Sequence, residues 1–152
     1  MKDGLQLLGT WLVGVLTHKL TLLAAGGAAG TLARWWLGSW VGSQPWGQTF
    51  PLGTLLINVS GSCVLGFAAV LILERLPPEH SDWYLLVGTG FCGGYTTFST
   101  FEWETFKLLR ERSYGLAAAN VFGSVAAGLA GVFLGVLLAH LVFWLLDVAL
   151  RR

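Results

Sequence analysis

The residues best suited to chemistry lie together in one apolar stretch, where glycines give way to hydroxyl groups and aromatic rings. Residues 88–94 include four glycines, and residues 95–101 include four serine or threonine hydroxyls and three aromatic rings. Glycine is a poor helix former, so this composition predicts a break in a helix. Carbonyls freed at a break suit a cation, whereas hydroxyl donors and the electropositive edges of phenylalanine rings suit an anion. The stretch predicts a site that handles ions, with a purely structural kink as the alternative.

Further polar side chains are scattered through otherwise apolar segments. Thr54, Asn58 and Ser62 follow one another at every fourth position, which places them on one face of a helix. Asn120 and Ser124 have the same spacing further along the chain. Polar groups at membrane depth are costly, so they indicate either hydrogen bonds between helices or a pathway for ions.

The elements that position these residues are apolar helices in a chain of one domain. The chain has 152 residues, of which 55% are hydrophobic and 11% charged, against about 25% charged in a soluble domain. A bilayer is crossed by about 20 residues of helix. The sequence therefore predicts an all-α integral membrane protein with four transmembrane helices, the third of them broken. The predicted spans are Leu20–Val41, Leu52–Leu73, Trp83–Phe106 and Leu116–Leu146.

The residues before the first span form a separate prediction. Leu5 to Leu16 is apolar but too short to cross a membrane, and it lacks an obvious small-residue cleavage site. We expect residues 1–19 to be an N-terminal extension lying at the membrane interface, with a signal peptide as the weaker alternative. Residues 20–152 then form the four-span domain.

The distribution of positive charge favours neither orientation strongly. With both termini and the second loop on one side, five lysines and arginines lie there and three lie opposite. So weak a bias permits insertion in both orientations, and an antiparallel homodimer could follow. The fourth span also has a small residue at every fourth position, which predicts close helix packing. These positions are Ala119, Gly123, Ala127, Gly131, Gly135 and Ala139.

Two motifs resemble those of the Fluc/CrcB fluoride-channel family. One is Gly93-Gly94-Tyr95-Thr96-Thr97-Phe98-Ser99-Thr100-Phe101, and the other is Gly53-Thr54-x-x-x-Asn58-x-x-Gly61. The resemblance covers the chain from about Leu20 to the end of the fourth span. It implies an antiparallel, dual-topology homodimer in the bacterial cytoplasmic (inner) membrane, with two pores that export fluoride passively and confer fluoride resistance. It also implies a structural sodium ion at the centre of the dimer.

The resemblance carries roles onto individual positions. The sodium would be held by the main-chain carbonyls of Gly93 and Thr96. Glu104 matches an acidic residue one turn beyond the motif, and its role stays open. The fluoride pore would be lined by Asn58, Phe98, Phe101, Ser99, Thr100, Thr54 and Ser124, with Arg34 near its vestibule.

Two other functions remain as alternatives. A small multidrug-type four-span transporter would need a carboxylate in the middle of a span, and the first three spans offer none there. A non-transporting assembly subunit fits the small residues of the fourth span but leaves the hydroxyl and phenylalanine cluster unexplained. The sequence has no nucleophile–base pair and no phosphate-binding loop, so we expect neither an enzyme nor an ATP-driven pump. The partners expected are a second copy and membrane lipid.

Overall fold

The described residues form five helices of ten or more residues. The structure is a computed structural model that describes residues 2–47 and 49–151, with side-chain contacts from residue 18 onward. Helix α1 is Lys2–Gly42, α2 is Leu52–Arg75, α3 covers residues 83–95, α4 is Phe98–Arg110 and α5 is Tyr114–Leu150. Short 3-10 turns at Pro45–Gly47 and Pro78–His80 lie in the first two connections.

The predicted spans correspond to these helices, with some changes at their ends. α1 continues without a boundary through the predicted extension, whose position relative to a membrane stays a prediction. α4 ends at Arg110, four residues beyond the predicted end of the third span at Phe106. Of the described helices, Leu52–Arg75 and Tyr114–Leu150 are long and apolar enough to cross a membrane, and 18-residue windows within them have mean hydropathies of 2.2 and 2.4.

Two contacts place chain segments at one end of the bundle. Lys19 Nζ lies 3.5 Å from Asp82 Oδ1, which brings the start of the first predicted span beside the second connection. The Arg75 guanidinium lies 5.1 Å from the centre of the Phe143 ring, so the end of α2 meets the C-terminal part of α5. The second connection and the C-terminal part of α5 therefore share one end of the molecule.

Two glycines of the third span, Gly90 and Gly94, pack α3 against α1, and the helix continues through both of them. A Cβ on Gly26 would collide with the Leu86 carbonyl oxygen, and one on Gly30 with the Phe91 carbonyl oxygen. On the facing side, a Cβ on Gly90 would lie 3.0 Å from the Leu23 carbonyl oxygen. Lipid gives helices no hydrophobic reason to associate, so this close backbone contact supplies the attraction. The prediction that these glycines mark the break was wrong.

The break itself, which the sequence did predict, lies just after the glycines. Residues 85–92 form a wide π-helical turn, and Gly93–Tyr95 completes α3. Thr96 and Thr97 are extended, with φ/ψ of −80°/160° and −151°/118°, and α4 starts at Phe98. The third span is therefore two half-helices joined by two extended residues.

The small residues of α5 divide into two groups. Gly131, Gly135 and Ala139 are buried, and a Cβ on Gly135 would collide with the Cys63 carbonyl oxygen of α2. Ala119 and Gly123, by contrast, are exposed on the single chain. The predicted stripe therefore packs α5 against α2 along its C-terminal half only.

Candidate functional site

The break in the third span is closed by one side chain from α2. Asn58 Nδ2 donates to the Thr97 carbonyl oxygen at 3.1 Å, and Asn58 Oδ1 accepts from the Thr97 N–H at 2.8 Å. The amide thus bonds the donor and the acceptor of one extended residue, much as a neighbouring strand would. Unpaired backbone groups are tolerated at membrane depth only where protein or water covers them. Asn58 therefore makes the break possible.

The same contact frees a carbonyl on α3. In a continuous helix the Thr97 N–H would donate to the Gly93 carbonyl, four residues earlier. That N–H donates to Asn58 Oδ1 instead. Gly93 is exposed on the single chain, and a Cβ there would meet no atom within 4 Å. The Gly93 carbonyl is thus released from the helix at an open surface.

The second predicted cation ligand already has a partner. Arg34 Nη1 of α1 donates to the Thr96 carbonyl oxygen at 3.2 Å. The Thr96 hydroxyl and the Thr96 N–H both donate to the Cys92 carbonyl oxygen, at 2.8 and 2.9 Å. A carbonyl oxygen has two lone pairs, so one of them remains for another ligand. Arg34 therefore fixes the direction of the carbonyl that would face the ion.

The start of α4 presents two phenylalanines. The Thr97 side chain caps the helix by accepting from the Thr100 N–H at 3.3 Å. The rings of Phe98 and Phe101 then lie 5.7 Å apart and are tilted by 41°. Phe101 is 8% exposed, whereas Phe98 is 73% exposed on the single chain. Sequence reasoning gave Thr97 no role, although a threonine before a helical run is a recognisable capping signal.

A cavity of about 290 Å³ joins the two phenylalanines to polar groups of α2 and α5. We call it the phenylalanine cavity. It brings together four of the predicted pore groups, namely the Asn58 amide, the Phe98 and Phe101 rings and the Ser124 hydroxyl. Its lining residues are Asn58, Ser62, Phe98, Phe101, Ser124, Val125, Gly128, Leu129 and Val132.

A second cavity, of about 370 Å³, opens between α1, α2 and α4. We call it the vestibule cavity. Its polar lining includes Arg34, Thr54, Thr97, Thr100 and Glu104. Thr54 and Glu104 both line this cavity, and Glu104 Oε2 is buried without a hydrogen-bond partner among the described residues. Glu104 is the acidic residue whose role the sequence left open, and its position in this cavity places it beside the predicted pathway.

A chain of hydrogen bonds ties α5 to α4 beside the phenylalanine cavity. Ser124 donates to Asn120 Oδ1 at 3.3 Å, and Asn120 Nδ2 donates to the Thr105 hydroxyl at 2.8 Å. Thr105 in turn donates to the Phe101 carbonyl at 2.8 Å. Asn120 is 1% exposed. Its burial is compatible with the membrane because both ends of its amide are bonded.

The predicted pore residues therefore fall into two places. The phenylalanine cavity collects Asn58, Phe98, Phe101 and Ser124, and the vestibule cavity collects Arg34, Thr54 and Thr100. Asn58 also lines a third cavity, of about 370 Å³, with Gly93, Thr96 and Phe98. Ser99 lines none of these three cavities and is exposed on the single chain.

Comparison with known proteins gives consistent matches. The family described as "CrcB-like protein, Camphor Resistance (CrcB)" matches residues 21–136. The "Fluoride-specific ion channel FluC" of Solibacter usitatus is 50% identical over 122 residues, which covers 80% of this chain and 98% of that protein. The protein of the same name from Thermococcus gammatolerans is 47% identical over 126 residues, covering 82% of this chain and 99% of that protein. The one from Pyrococcus abyssi is 47% identical over 119 residues, covering 78% and 94%.

The matched region includes the break, the Asn58 contact and every residue named in the three cavities. Residues 2–20 of α1 and the last residues of α5 lie outside it. The family that the two motifs resemble is the one that the whole-domain match identifies. The chain belongs to the CrcB family.

Proposed function

We propose that the protein is a passive, fluoride-selective channel that exports fluoride across the bacterial inner membrane and so confers fluoride resistance. One observation carries the proposal. The Asn58 amide, the Phe98 and Phe101 rings and the Ser124 hydroxyl line one cavity, in a chain 50% identical to a protein named as a fluoride-specific ion channel.

The groups in the phenylalanine cavity suit a small, strongly hydrated anion. Such an ion must exchange its water for hydrogen-bond donors, and the second N–H of the Asn58 amide is still available after the bond to Thr97. The positive edges of the two phenylalanine rings add weak attraction without a fixed charge. Conduction needs sites from which the ion can leave, so a constriction without lysine or arginine favours flux.

The vestibule cavity suits the entrance to this path. Arg34 places a positive charge there, which raises the local concentration of anions. Thr54 and Thr100 add hydroxyls to the lining of the same cavity. The hydrogen bond from Arg34 to the Thr96 carbonyl holds the guanidinium in a fixed position.

The working unit we propose is an antiparallel, dual-topology homodimer with two pores. Phe98 is 73% exposed on the single chain, although its ring is assigned to the pore wall. Gly93 and Ser99 are exposed on the same half of the molecule. A second copy that covers this surface would complete the pore wall and give these residues a packing partner.

The central ion of such a dimer would be sodium, a hard cation that prefers oxygen ligands. The donor chemistry fits, because the Gly93 carbonyl has lost its helical partner and the Thr96 carbonyl keeps one lone pair. Each copy would contribute these two carbonyls. Bound there, sodium would hold the two breaks together and add positive charge between the pores.

We also propose that residues 2–19 of α1 lie against the membrane interface.

The experiment that tests the function is fluoride efflux from liposomes that contain the purified protein, followed with a fluoride electrode. We expect rapid efflux that needs no ATP and no proton gradient, and little efflux when chloride replaces fluoride. Protein-free liposomes are the control for leakage. Folded protein that carries no fluoride would overturn the proposal. Proton-coupled efflux of an organic cation in the same liposomes would instead support the multidrug-type alternative.

A further inference from the structure

One hydrogen-bonded pair near the break has no place in the path described above. Tyr95, the last residue of α3, is 8% exposed and its ring stacks on Phe91, with 5.4 Å between ring centres and 17° between planes. Its hydroxyl lies 2.9 Å from Ser60 Oγ of α2. The ring is therefore held on one side by α3 itself and at its tip by α2.

The direction of this hydrogen bond follows from the protons available. Ser60 has a single hydroxyl proton, and Ser60 Oγ lies 2.6 Å from the Leu56 carbonyl oxygen, its shortest contact. A carbonyl oxygen can only accept, so the serine proton is used there. Tyr95 must then donate to Ser60 Oγ. A break in this pair would leave the buried phenol without an acceptor, which costs more than the net value of the bond itself.

One turn of α2 contacts three successive residues of the third span. Ser60 bonds Tyr95, Gly61 packs against Thr96, and Asn58 bonds both backbone groups of Thr97. A Cβ on Gly61 would collide with Thr96 Cγ2 and lie 3.0 Å from Tyr95 Cδ1. These contacts lie where α3 ends and the extended residues begin.

We propose that the Ser60–Tyr95 pair is a positioning device that fixes where the third span breaks. Neither residue contacts the ion. By ending α3 at Tyr95, the pair places the Thr96 carbonyl toward Arg34 and sets the start of α4, where Phe98 enters the phenylalanine cavity. When the pair is lost, the helix end shifts between neighbouring residues and the Phe98 ring leaves its place for part of the time. The effect on transport rests on the proposed function, whereas the effect on the backbone does not.

The test uses the full-length protein in liposomes with Tyr95→Phe, Ser60→Ala and the double variant. Each single variant should lower the fluoride efflux rate about fivefold, the scale of one hydrogen bond. The double variant should be no slower than either single one, because the two hydroxyls act as a unit. Ser60→Thr keeps the hydroxyl and should restore the wild-type rate. Tyr114→Phe removes an exposed phenol at the start of α5 and is the matched control, with no change expected.

Amide hydrogen exchange gives a readout that does not depend on transport. Peptides that cover residues 95–98 should exchange about fivefold faster in Tyr95→Phe and Ser60→Ala, because the Thr97 N–H loses its steady acceptor. Peptides from α5 should be unchanged. Wild-type exchange in both variants, or efflux losses that simply add in the double variant, would overturn the proposal. If the wild type carries no fluoride, the proposed function fails, and faster local exchange would still support the positioning role.

Discussion

The Asn58 amide donates to one backbone group of Thr97 and accepts from the other, and it also lines the phenylalanine cavity. An aspartate in its place would keep the acceptor for the Thr97 N–H. Its second oxygen, however, would face the Thr97 carbonyl, so two acceptors would meet where a hydrogen bond had been. A fixed negative charge would also repel an anion. We expect Asn58→Asp to lower fluoride efflux at least about tenfold, since leaving such groups unpaired costs about 1–3 kcal/mol.

Phe98→Ile is the partner experiment for the same cavity. The variant keeps an apolar side chain on a largely exposed position but removes the electropositive ring edge. We expect a similarly large loss of efflux with the protein still folded and still able to dimerise. Normal efflux in both variants, measured with the electrode assay, would remove these two residues from the pore.

Among the helices, glycine packing gives a prediction that is independent of transport. A Cβ on Gly135 would collide with the Cys63 carbonyl oxygen and lie 2.8 Å from the Phe67 nitrogen, both of them backbone atoms that cannot rotate away. We expect Gly135→Ala to destabilise the fold by about 1–3 kcal/mol. The measurement is thermal unfolding in detergent, followed by tryptophan fluorescence.

Gly115→Ala is the matched control on the same helix. A Cβ on Gly115 would meet no atom within 4 Å, and alanine is the better helix former. Its unfolding temperature should equal or slightly exceed that of the wild type. Equal destabilisation by both substitutions would show that the α2–α5 contact does not depend on the absence of a side chain at Gly135.

The helices also show where sequence reasoning succeeds and where it fails. Apolar length predicted where the long helical segments lie to within a few residues at most ends, because hydropathy is a local property. The exact position of the break could not be predicted from the residues next to it. Gly88, Gly90 and Gly94 looked like helix breakers, yet they serve close packing against α1 or within α3, and the break follows them. Asn58, 39 residues earlier in the chain, bonds the backbone at the break, and this contact exists only in the folded protein.

The candidate site was predictable to a similar degree. The motif resemblance assigned seven residues to the pore wall, and four of them line one cavity, namely Asn58, Phe98, Phe101 and Ser124. Thr54 and Thr100 line the vestibule cavity instead, and Ser99 lines neither of these two cavities. The resemblance gave no sign that Arg34 bonds the Thr96 carbonyl or that Ser60 holds Tyr95. Those contacts depend on how α1 and α2 pack against the end of α3. No local sequence pattern predicts that packing.

At the scale of the whole molecule, the distribution of positive charge bears on the orientation of the chain in the membrane. The sequence carries five positive residues on one side of the predicted spans and three on the other. If both orientations occur, a cysteine at Ser43 and one at Glu79, in connections at opposite ends of the bundle, should each be labelled to about half by an impermeant maleimide on intact cells. The unaltered chain, with Cys63 and Cys92 within helices, gives the background.

A single orientation would give a different pattern in that experiment. One of the two cysteines would be labelled fully and the other not at all until the cells were opened. That result would exclude the dual-topology homodimer while leaving the family membership intact.

The contact between Asn58 and Thr97 also has a consequence for biosynthesis. A ribosome delivers the chain from its N-terminus, so α2 reaches the translocon before α3 and α4 have been made. Asn58 is therefore already in the bilayer when the broken segment is made. The segment need not enter lipid with its backbone N–H and C=O groups unpaired. A circular permutant that made the third span before the second would lose this advantage during insertion, although the finished protein would contain the same contacts.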